Sequence, residues 1–132
     1  MYKKLQLLLI AVVTVIACSF SDAGQEAVET FRLSIQTHDA RYISRFFDHT
    51  VDMTYENTQS TYSKTQAQMI LNDFYTRHNP RSFNIEYVGN SSANDAQYVI
   101  GTVRTAKGTF KVYLYIRIQG KRQIIREMKI FR

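Results

Sequence analysis

Residues 109–118, TFKVYLYIRI, decide the fold of this chain. Apolar side chains alternate along them with cations and tyrosines, which is the period of a β-strand with one buried face. The apolar face consists of Phe110, Val112, Leu114 and Ile116. The opposite face, which we call the stripe, consists of Lys111, Tyr113, Tyr115 and Arg117. The sequence therefore predicts a sheet with one packed side and one side that carries tyrosines and cations.

The alternation continues on both sides of this strand. An earlier strand contains Phe83, Ile85 and Tyr87 on one face, and a loop of turn-forming residues follows it over 89–95. Further strands are predicted over 97–105 and 123–131, and the tight turns are Lys107-Gly108 and Gln119-Gly120. Everything after Pro80 is thus predicted to form an antiparallel meander of four strands.

Before Pro80 the hydrophobic period is mainly helical. Val28, Phe31 and Ile35 recur at the spacing of one helix face, which predicts a first helix over 25–37. The chain is predicted to break at His38 and Asp39. A second, short helix is then predicted from three apolar residues, Ile43, Phe46 and Phe47.

A small hairpin and a third helix complete the pattern. Val51, Met53 and Tyr55 alternate within 50–56, and a polar turn over 57–59 returns the chain through Tyr62. Ser63 and Gln66 have the spacing of a capping box, which predicts the start of the third helix. Its apolar positions are Ala67, Ile70, Leu71 and Phe74, and it is predicted to end at Asn79 and Pro80.

The first 23 residues have the build of a secretory signal. Lys3 and Lys4 precede an almost wholly apolar run over 5–17, and small or polar residues follow over 18–23. The run is shorter than the roughly 20 residues that span a bilayer as a helix. We therefore expect an exported protein in the periplasm or envelope, with a signal peptide at 1–23 and a single domain at 24–132.

Two cleavage sites compete within this signal. Ser21 and Ala23 are small residues at the positions that signal peptidase reads, so cleavage there would release a chain that begins at Gly24. Alternatively, residues 15–17 precede Cys18 in the order of a bacterial lipobox, and Cys18 would then be lipidated and hold the protein on the membrane. Cys18 is the one cysteine of the chain, so no disulfide is expected in the mature domain.

The order helix, helix, hairpin, helix, meander resembles the nuclear-transport-factor-2-like (cystatin-like) superfamily over residues 25–131. The chain is most similar to a bacterial exported family of unknown function, through YSKTQA at 62–67, YVIGT at 98–102 and GTF at 108–110. The resemblance implies an α+β fold in which three N-terminal helices pack on a strongly bent antiparallel sheet. It also implies a cone-shaped pocket between helices and sheet, a site that serves enzymes and binding proteins alike.

The resemblance also identifies candidate pocket residues. The catalytic members of the superfamily, such as ketosteroid isomerase, use a carboxylate base, a tyrosine and a protonated acid. This sequence has Phe31, Met53 and Leu114 at the matching positions, so that mechanism is not expected here. Asp52 and His49 are read as a solvent-facing strand residue and a loop residue. The candidate pocket lining is Phe31, Met53, Tyr55, Tyr62 and Phe74.

Other chemistries find no support in the sequence. His38, His49 and His78 lack the spacing of zinc ligands, and no glycine-flanked serine or phosphate-binding glycine loop occurs. We therefore expect no metal, no cofactor and no hydrolase activity. Nucleic acid is not an expected partner of an exported protein.

Charge is unevenly distributed along the chain. Residues 24–100 contain six basic and nine acidic residues, whereas 101–132 contain nine basic residues and one acid, Glu127. The stripe is therefore a candidate contact for an anionic polymer, an anionic membrane or a second copy of the chain. We expect a weak homodimer through it, which salt would strengthen because like charges oppose self-association.

These observations favour a non-catalytic module that binds an unidentified small molecule or an envelope protein. The alternative is an isomerase-type or dehydratase-type enzyme with a rearranged pocket. An open interior cavity with paired polar groups would favour the enzyme, and an interior filled by aromatic side chains would favour the interaction module.

The lipobox generates a direct test. If Cys18 is lipidated, the Cys18→Ser variant should lose labelling by a fatty-acid probe and leave the membrane fraction, because the acyl chains supply the membrane affinity. Mass spectrometry that finds an unmodified chain beginning at Gly24 would contradict lipidation.

Overall fold

The computed structural model describes residues 24–132, and the predicted signal, cleavage sites and Cys18 lie outside this range. Among the described residues no helix is both long and apolar enough to span a membrane. The helices are α1 (Gln25–Thr37), α2 (Arg41–Ser44) and α3 (Lys64–His78). The strands are β1 (Phe47–Tyr55), β2 (Thr58–Ser63), β3 (Pro80–Asn90), β4 (Ala96–Thr105), β5 (Gly108–Gln119) and β6 (Arg122–Phe131).

The six strands form one mixed sheet in the order β2-β1-β6-β5-β4-β3. The pairs β3–β4, β4–β5 and β5–β6 are antiparallel, which confirms the predicted meander. Strand β6 then pairs with β1 in parallel, with Phe47 opposite Ile125 and Met53 opposite Met128. The prediction of a wholly antiparallel sheet is therefore wrong at this pair. Hydrophobic alternation shows which residues share a face, but it does not show the direction of a neighbouring strand.

The predicted second helix is too long. Helix α2 ends at Ser44, and Phe47 already belongs to β1. A short turn follows α2, in which the Phe46 N–H donates to the Ile43 carbonyl at 3.0 Å. The Phe46 carbonyl accepts from Ile125 N–H at 2.7 Å, which draws the chain into the sheet. His49, expected in a loop, consequently lies within β1.

Strand β3 contains a bulge that the sequence pattern does not reveal. The pairing with β4 shifts between Ile85, which is opposite Gly101, and Tyr87, which is opposite Ile100. The extra residue, Glu86, moves Tyr87 to the opposite face from Ile85. The prediction that Tyr87 shares a face with Phe83 is therefore wrong.

The third helix begins as predicted. The Ser63 hydroxyl accepts from Gln66 N–H at 3.2 Å, and the Gln66 side chain accepts from Ser63 N–H at 3.1 Å. This capping box satisfies two backbone donors at a helix end that would otherwise lack partners. The helix ends at Asn79, which takes a left-handed conformation with φ 52°.

Helices α1 and α3 cover one face of the sheet and bury a largely apolar core between helices and sheet. Buried residues of α1 and α3 include Phe31, Ile35, Leu71 and Phe74, and those of the sheet include Phe83, Val103, Phe110, Leu114 and Met128. The buried Tyr75 hydroxyl lies 2.6 Å from Ser34 Oγ, which itself donates to the Phe31 carbonyl at 2.8 Å. Since a serine has one donor, Tyr75 donates to Ser34, and both buried hydroxyls are satisfied.

Gly101 allows close packing inside this core. A Cβ at this position would come within 2.5 Å of the Asn84 carbonyl oxygen and would also overlap the Phe83 ring. The neighbouring strand and ring therefore occupy the space that any larger residue needs. This contact gives a physical reason for the glycine of the YVIGT segment.

We predict that Gly101→Ala lowers the free energy of unfolding by about 1–3 kcal/mol, the usual effect of overpacking a core. Urea unfolding followed by circular dichroism measures this change. The control is Gly120→Asn at the β5–β6 turn, where φ is 62° and no atom lies within 4 Å of an added Cβ. Equal stability losses in the two variants would contradict the packing explanation.

Candidate functional site

Three of the five candidate pocket residues belong to the core. Phe31, Met53 and Phe74 are each at most 1% exposed. The Phe31 ring contacts the Phe83 ring edge-on at a centroid distance of 4.9 Å, and Phe74 contacts Phe110 in the same way at 5.1 Å. These rings fill the space between α1, α3 and the sheet, where the resemblance implies a pocket.

Tyr55 and Tyr62 lie at the margin of this core. Both are half-buried, and they line an open surface groove of about 370 Å³ beside α3. The other groove residues are Thr58, Met69, Ile70, Asp73 and Arg77. Met69 is 64% exposed, and Asp73 pairs with Arg77 at 3.0 Å. The groove is thus a mixed surface feature.

One titratable pair connects this groove to the core. The Tyr55 hydroxyl lies 3.0 Å from His78 Nε2, and the His78 ring packs against Phe74 and Phe110 at 5.2 and 4.8 Å. His78 Nδ1 is buried and has no hydrogen-bond partner among the described residues. Burial, reinforced by the charge of Arg132, lowers the pKa of His78. Burial also raises the pKa of Tyr55, so both groups are held neutral at pH 7.

The stripe lies on the other face of the sheet, away from the helices. Its tyrosines belong to a larger aromatic cluster, because β4 places Tyr98 opposite Tyr115 and beside Tyr113. The ring of Tyr98 lies 5.1 Å from that of Tyr115 and 6.1 Å from that of Tyr113. The bulge in β3 adds Tyr87, which is 59% exposed. We call Tyr87, Tyr98, Tyr113 and Tyr115 the tyrosine cluster.

Tyr113 lies on the side of this cluster that faces β6. It faces Ile100 on β4 and Lys129 on β6, and Lys129 Nζ lies 5.4 Å from the centre of its ring. Partial burial, followed by the charge of Glu127, raises the pKa of Tyr113 to about 12. Its hydroxyl is therefore a neutral hydrogen-bonding group within the tyrosine cluster.

Acidic residues neutralise three cations of this face, Lys111, Arg126 and Lys129, whereas Arg117 makes no ion pair among the described residues. Lys111 Nζ lies 2.6 Å from Glu86, whose pKa is lowered by this hydrogen bond and by a second one from Thr102. Lys129 pairs with Glu127 at 3.3 Å. Two further pairs, Arg126–Asp48 and Arg132–Glu56, join β6 to the β1 region at 2.9 and 3.4 Å. The outer face therefore contains acidic partners beside the cations and tyrosines of the stripe.

Arg117 lies at the end of the stripe, beside a polar depression of about 340 Å³. This depression is lined by Tyr115, Arg117, Arg126 and three carboxylates, Asp52, Asp95 and Glu127. Asp52 accepts a hydrogen bond from Thr61 at 2.6 Å, and Asp95 accepts one from Ser91 at 2.7 Å. Asp52 thus lies on the outer face, as expected. Within residues 24–132 no group of three or more histidine, cysteine or acidic side chains is arranged to hold a metal ion.

The burial of His78 gives a prediction for the pH dependence of stability. A histidine whose folded pKa lies below its unfolded value of 6.5 stabilises the fold fully above pH 6.5. That contribution is lost as the pH falls from 6.5 through the folded pKa, because the unfolded chain takes up the proton first. His78→Gln should abolish the part of the acid-induced loss of folding stability that comes from this histidine.

Urea unfolding from pH 8 to pH 5 measures this difference between the wild type and His78→Gln. The difference between the two proteins isolates His78 from the other titrating groups. Identical pH slopes in both proteins would contradict a depressed pKa at His78.

Comparison with known proteins places this fold in a family. The model of the domain of unknown function DUF4783 matches residues 28–130, which is more than half of the chain. No curated protein matches the sequence.

Solved structures agree with that assignment. A DUF4783 family protein from Bacteroides fragilis superposes with a TM-score of 0.71 at 19% identity, over 78% of this chain and 95% of that chain. One from Bacteroides uniformis gives 0.71 at 22% identity, over 79% and 94%. An NTF-2 like protein of unknown function from Silicibacter pomeroyi gives 0.60 at 17% identity, over 82% and 91%. The chain therefore belongs to the DUF4783 family and has the NTF2-like α+β fold, with a curved mixed sheet.

Proposed function

We propose that this protein is an exported interaction module that binds an envelope protein or a second copy of itself through the outer face of its sheet. The periplasm or envelope is its proposed location, with or without a lipid anchor at Cys18. The observation that supports the proposal best is the tyrosine cluster. It combines four aromatic side chains on three neighbouring strands, and no described helix covers it.

The interior of the domain supports the same conclusion. Phe31, Met53 and Leu114, at the positions where the isomerase has its catalytic groups, are all at most 1% exposed. Catalysis needs a substrate-accessible space beside the reacting groups. Because all three side chains belong to one buried core, we assign binding to the surface and propose no catalytic role for the domain.

The composition of the outer face suits contact with a protein. Tyrosines are enriched at the centre of protein interfaces, because each supplies a large apolar area with a polar group at one end. The surrounding ion pairs Lys111–Glu86 and Lys129–Glu127 form a polar border. Since Lys111 and Lys129 are paired within one chain, two copies could meet with less repulsion than that inferred from the sequence.

This arrangement changes the expected salt dependence of self-association. The sequence alone predicts that salt strengthens the dimer by screening like charges. Because Lys111 and Lys129 are already paired, the dimer should depend mainly on apolar burial and should change little between low and moderate salt. A binding site for an anionic polymer would instead weaken steeply as salt rises.

We predict that Tyr113→Glu disrupts binding by this face, since it removes an aromatic ring from the tyrosine cluster and puts a carboxylate in its place. The loss should be at least tenfold in affinity, about 1.4 kcal/mol or more. Sedimentation equilibrium at two salt concentrations measures self-association, and a pull-down from envelope extract measures binding of other proteins.

The matched control is Tyr42→Glu. Tyr42 is 37% exposed on α2, away from the sheet face, so the same substitution there should leave both measurements unchanged. If the protein is monomeric at both salt concentrations and Tyr113→Glu retains the same envelope proteins as the wild type, the proposed surface is wrong.

A further inference from the structure

A second concave site lies apart from the tyrosine cluster. It is formed where the β5–β6 turn, the first residue of α3 and the segment between α2 and β1 come together, and it has a volume of about 260 Å³. Four cationic side chains line it: Arg45, Lys64, Lys121 and Arg122. We call this site the basic pocket. Gln123 and Glu26 lie at its side near the start of α1, whose Ala27 N–H donates to Gln123 Oε1 at 2.8 Å.

The charges of the basic pocket are not compensated in the way that those of the outer face are. The ion pairs among the described residues involve seven other cations, and none of the four pocket cations takes part in one. Two carboxylates also line the pocket, Glu26 and Asp48. Asp48 is already paired with Arg126 at 2.9 Å. The pocket therefore has a net positive charge that the described residues leave unmatched.

The position of Lys64 adds to this positive potential. Lys64 is the first residue of α3, and the first turn of that helix contains no acidic residue. A cation at a helix N-terminus opposes the helix dipole and disfavours the helix, whereas an anion there is stabilising. Lys64 thus lowers the stability of the helix in the empty pocket, and a bound anion would reverse that effect.

We propose that the basic pocket binds a phosphate-type oxyanion, either free or as the headgroup of an anionic phospholipid. The guanidinium groups of Arg45 and Arg122 can donate two parallel hydrogen bonds to such an anion, and Lys64 and Lys121 supply point charges. The volume of the pocket leaves room for an organic group attached to the phosphate. This site is independent of the tyrosine cluster and of the proposed interaction function.

A phospholipid headgroup is a candidate ligand because of the short distance along the chain between Cys18 and α1. Five residues separate Cys18 from Gly24, so the two Cα atoms can lie at most about 22 Å apart when this segment is fully extended. If Cys18 is lipidated as proposed, the start of α1 is tethered close to the bilayer surface. The basic pocket, which borders the start of α1, would then lie within reach of phospholipid headgroups.

Phosphate titration of the protein expressed from its full chain and purified in detergent tests the site. Amide shifts in two-dimensional nuclear magnetic resonance spectra report binding of inorganic phosphate. The double variant Lys64→Gln with Arg122→Gln should raise the dissociation constant roughly tenfold or more, because two charge-assisted contacts are lost. The same concentrations of chloride should not shift the amide resonances of the pocket residues.

The matched control removes two cations elsewhere. Arg104 and Lys107 are exposed near the β4–β5 turn and also make no ion pair among the described residues, so Arg104→Gln with Lys107→Gln gives the same change in net charge. Phosphate affinity should change less than about twofold in this control. Equal losses in the two double variants, or equal shifts with chloride, would overturn the proposal, since net charge alone would explain them.

Vesicle binding distinguishes the two sources of phosphate. Vesicles of phosphatidylglycerol and phosphatidylcholine are compared with vesicles of phosphatidylcholine alone, using Cys18→Ser so that any anchor is absent. If the protein binds free phosphate but does not prefer the anionic vesicles, the ligand is a soluble phosphate. Pocket-dependent binding of the anionic vesicles assigns a headgroup. No pocket-dependent binding of either probe overturns the proposal.

The melting temperature shows whether a variant loses binding because it unfolds or because it lacks the pocket cation. Because Lys64 opposes the dipole of α3, Lys64→Gln should keep or raise the melting temperature in the absence of phosphate. Phosphate should raise the melting temperature of the wild type more than that of Lys64→Gln. A lowered melting temperature with unchanged phosphate affinity would assign Lys64 a structural role and contradict its role in the pocket.

Discussion

The packing of aromatic rings between α3 and the curved sheet is the constraint on which the rest of this structure depends. Phe74 on α3 meets Phe110 on β5, Tyr55 on β1 and His78 on its own helix. A curved sheet covered by helices has to fill its concave side or leave a cavity there. In this chain large apolar side chains fill the concave side. The polar and aromatic groups that a ligand could reach therefore lie on the surfaces around the core.

Much of the fold could be predicted from the sequence, because its hydrophobic periods are strong. The capping box at Ser63 and the meander after Pro80 are confirmed by the structure. The parallel pairing of β1 with β6 could not be predicted, since it depends on contacts between distant segments. The limits of α2 were also missed, because three apolar residues within five positions fit a helix turn and a strand start equally well.

The candidate site was predicted less completely than the fold. The stripe was identified from the alternation within β5, but the tyrosine cluster needs strands on both sides of it. The β4–β5 turn lies at residues 106 and 107, one position before the predicted Lys107-Gly108, and the predicted turn would have paired Tyr98 with Arg117 instead of Tyr115. No comparable signal exists for Tyr87, because a single-residue bulge moves it to the outer face. Ion pairs such as Lys111–Glu86 join residues 25 positions apart, and periodicity carries no information about them.

The parallel pairing of β1 with β6 has a consequence for how the chain folds. Phe47 contacts Ile125 across the sheet, so the first strand acquires its inner neighbour only after nearly the whole sequence is present. Closing so long a loop is entropically costly, and local hairpins form sooner. In a chain that is synthesised from its N-terminus onward, β1 and β2 wait for the last strand to emerge. Until then they expose an unpaired strand edge, which makes this interval the one in which chaperones would have the most to protect.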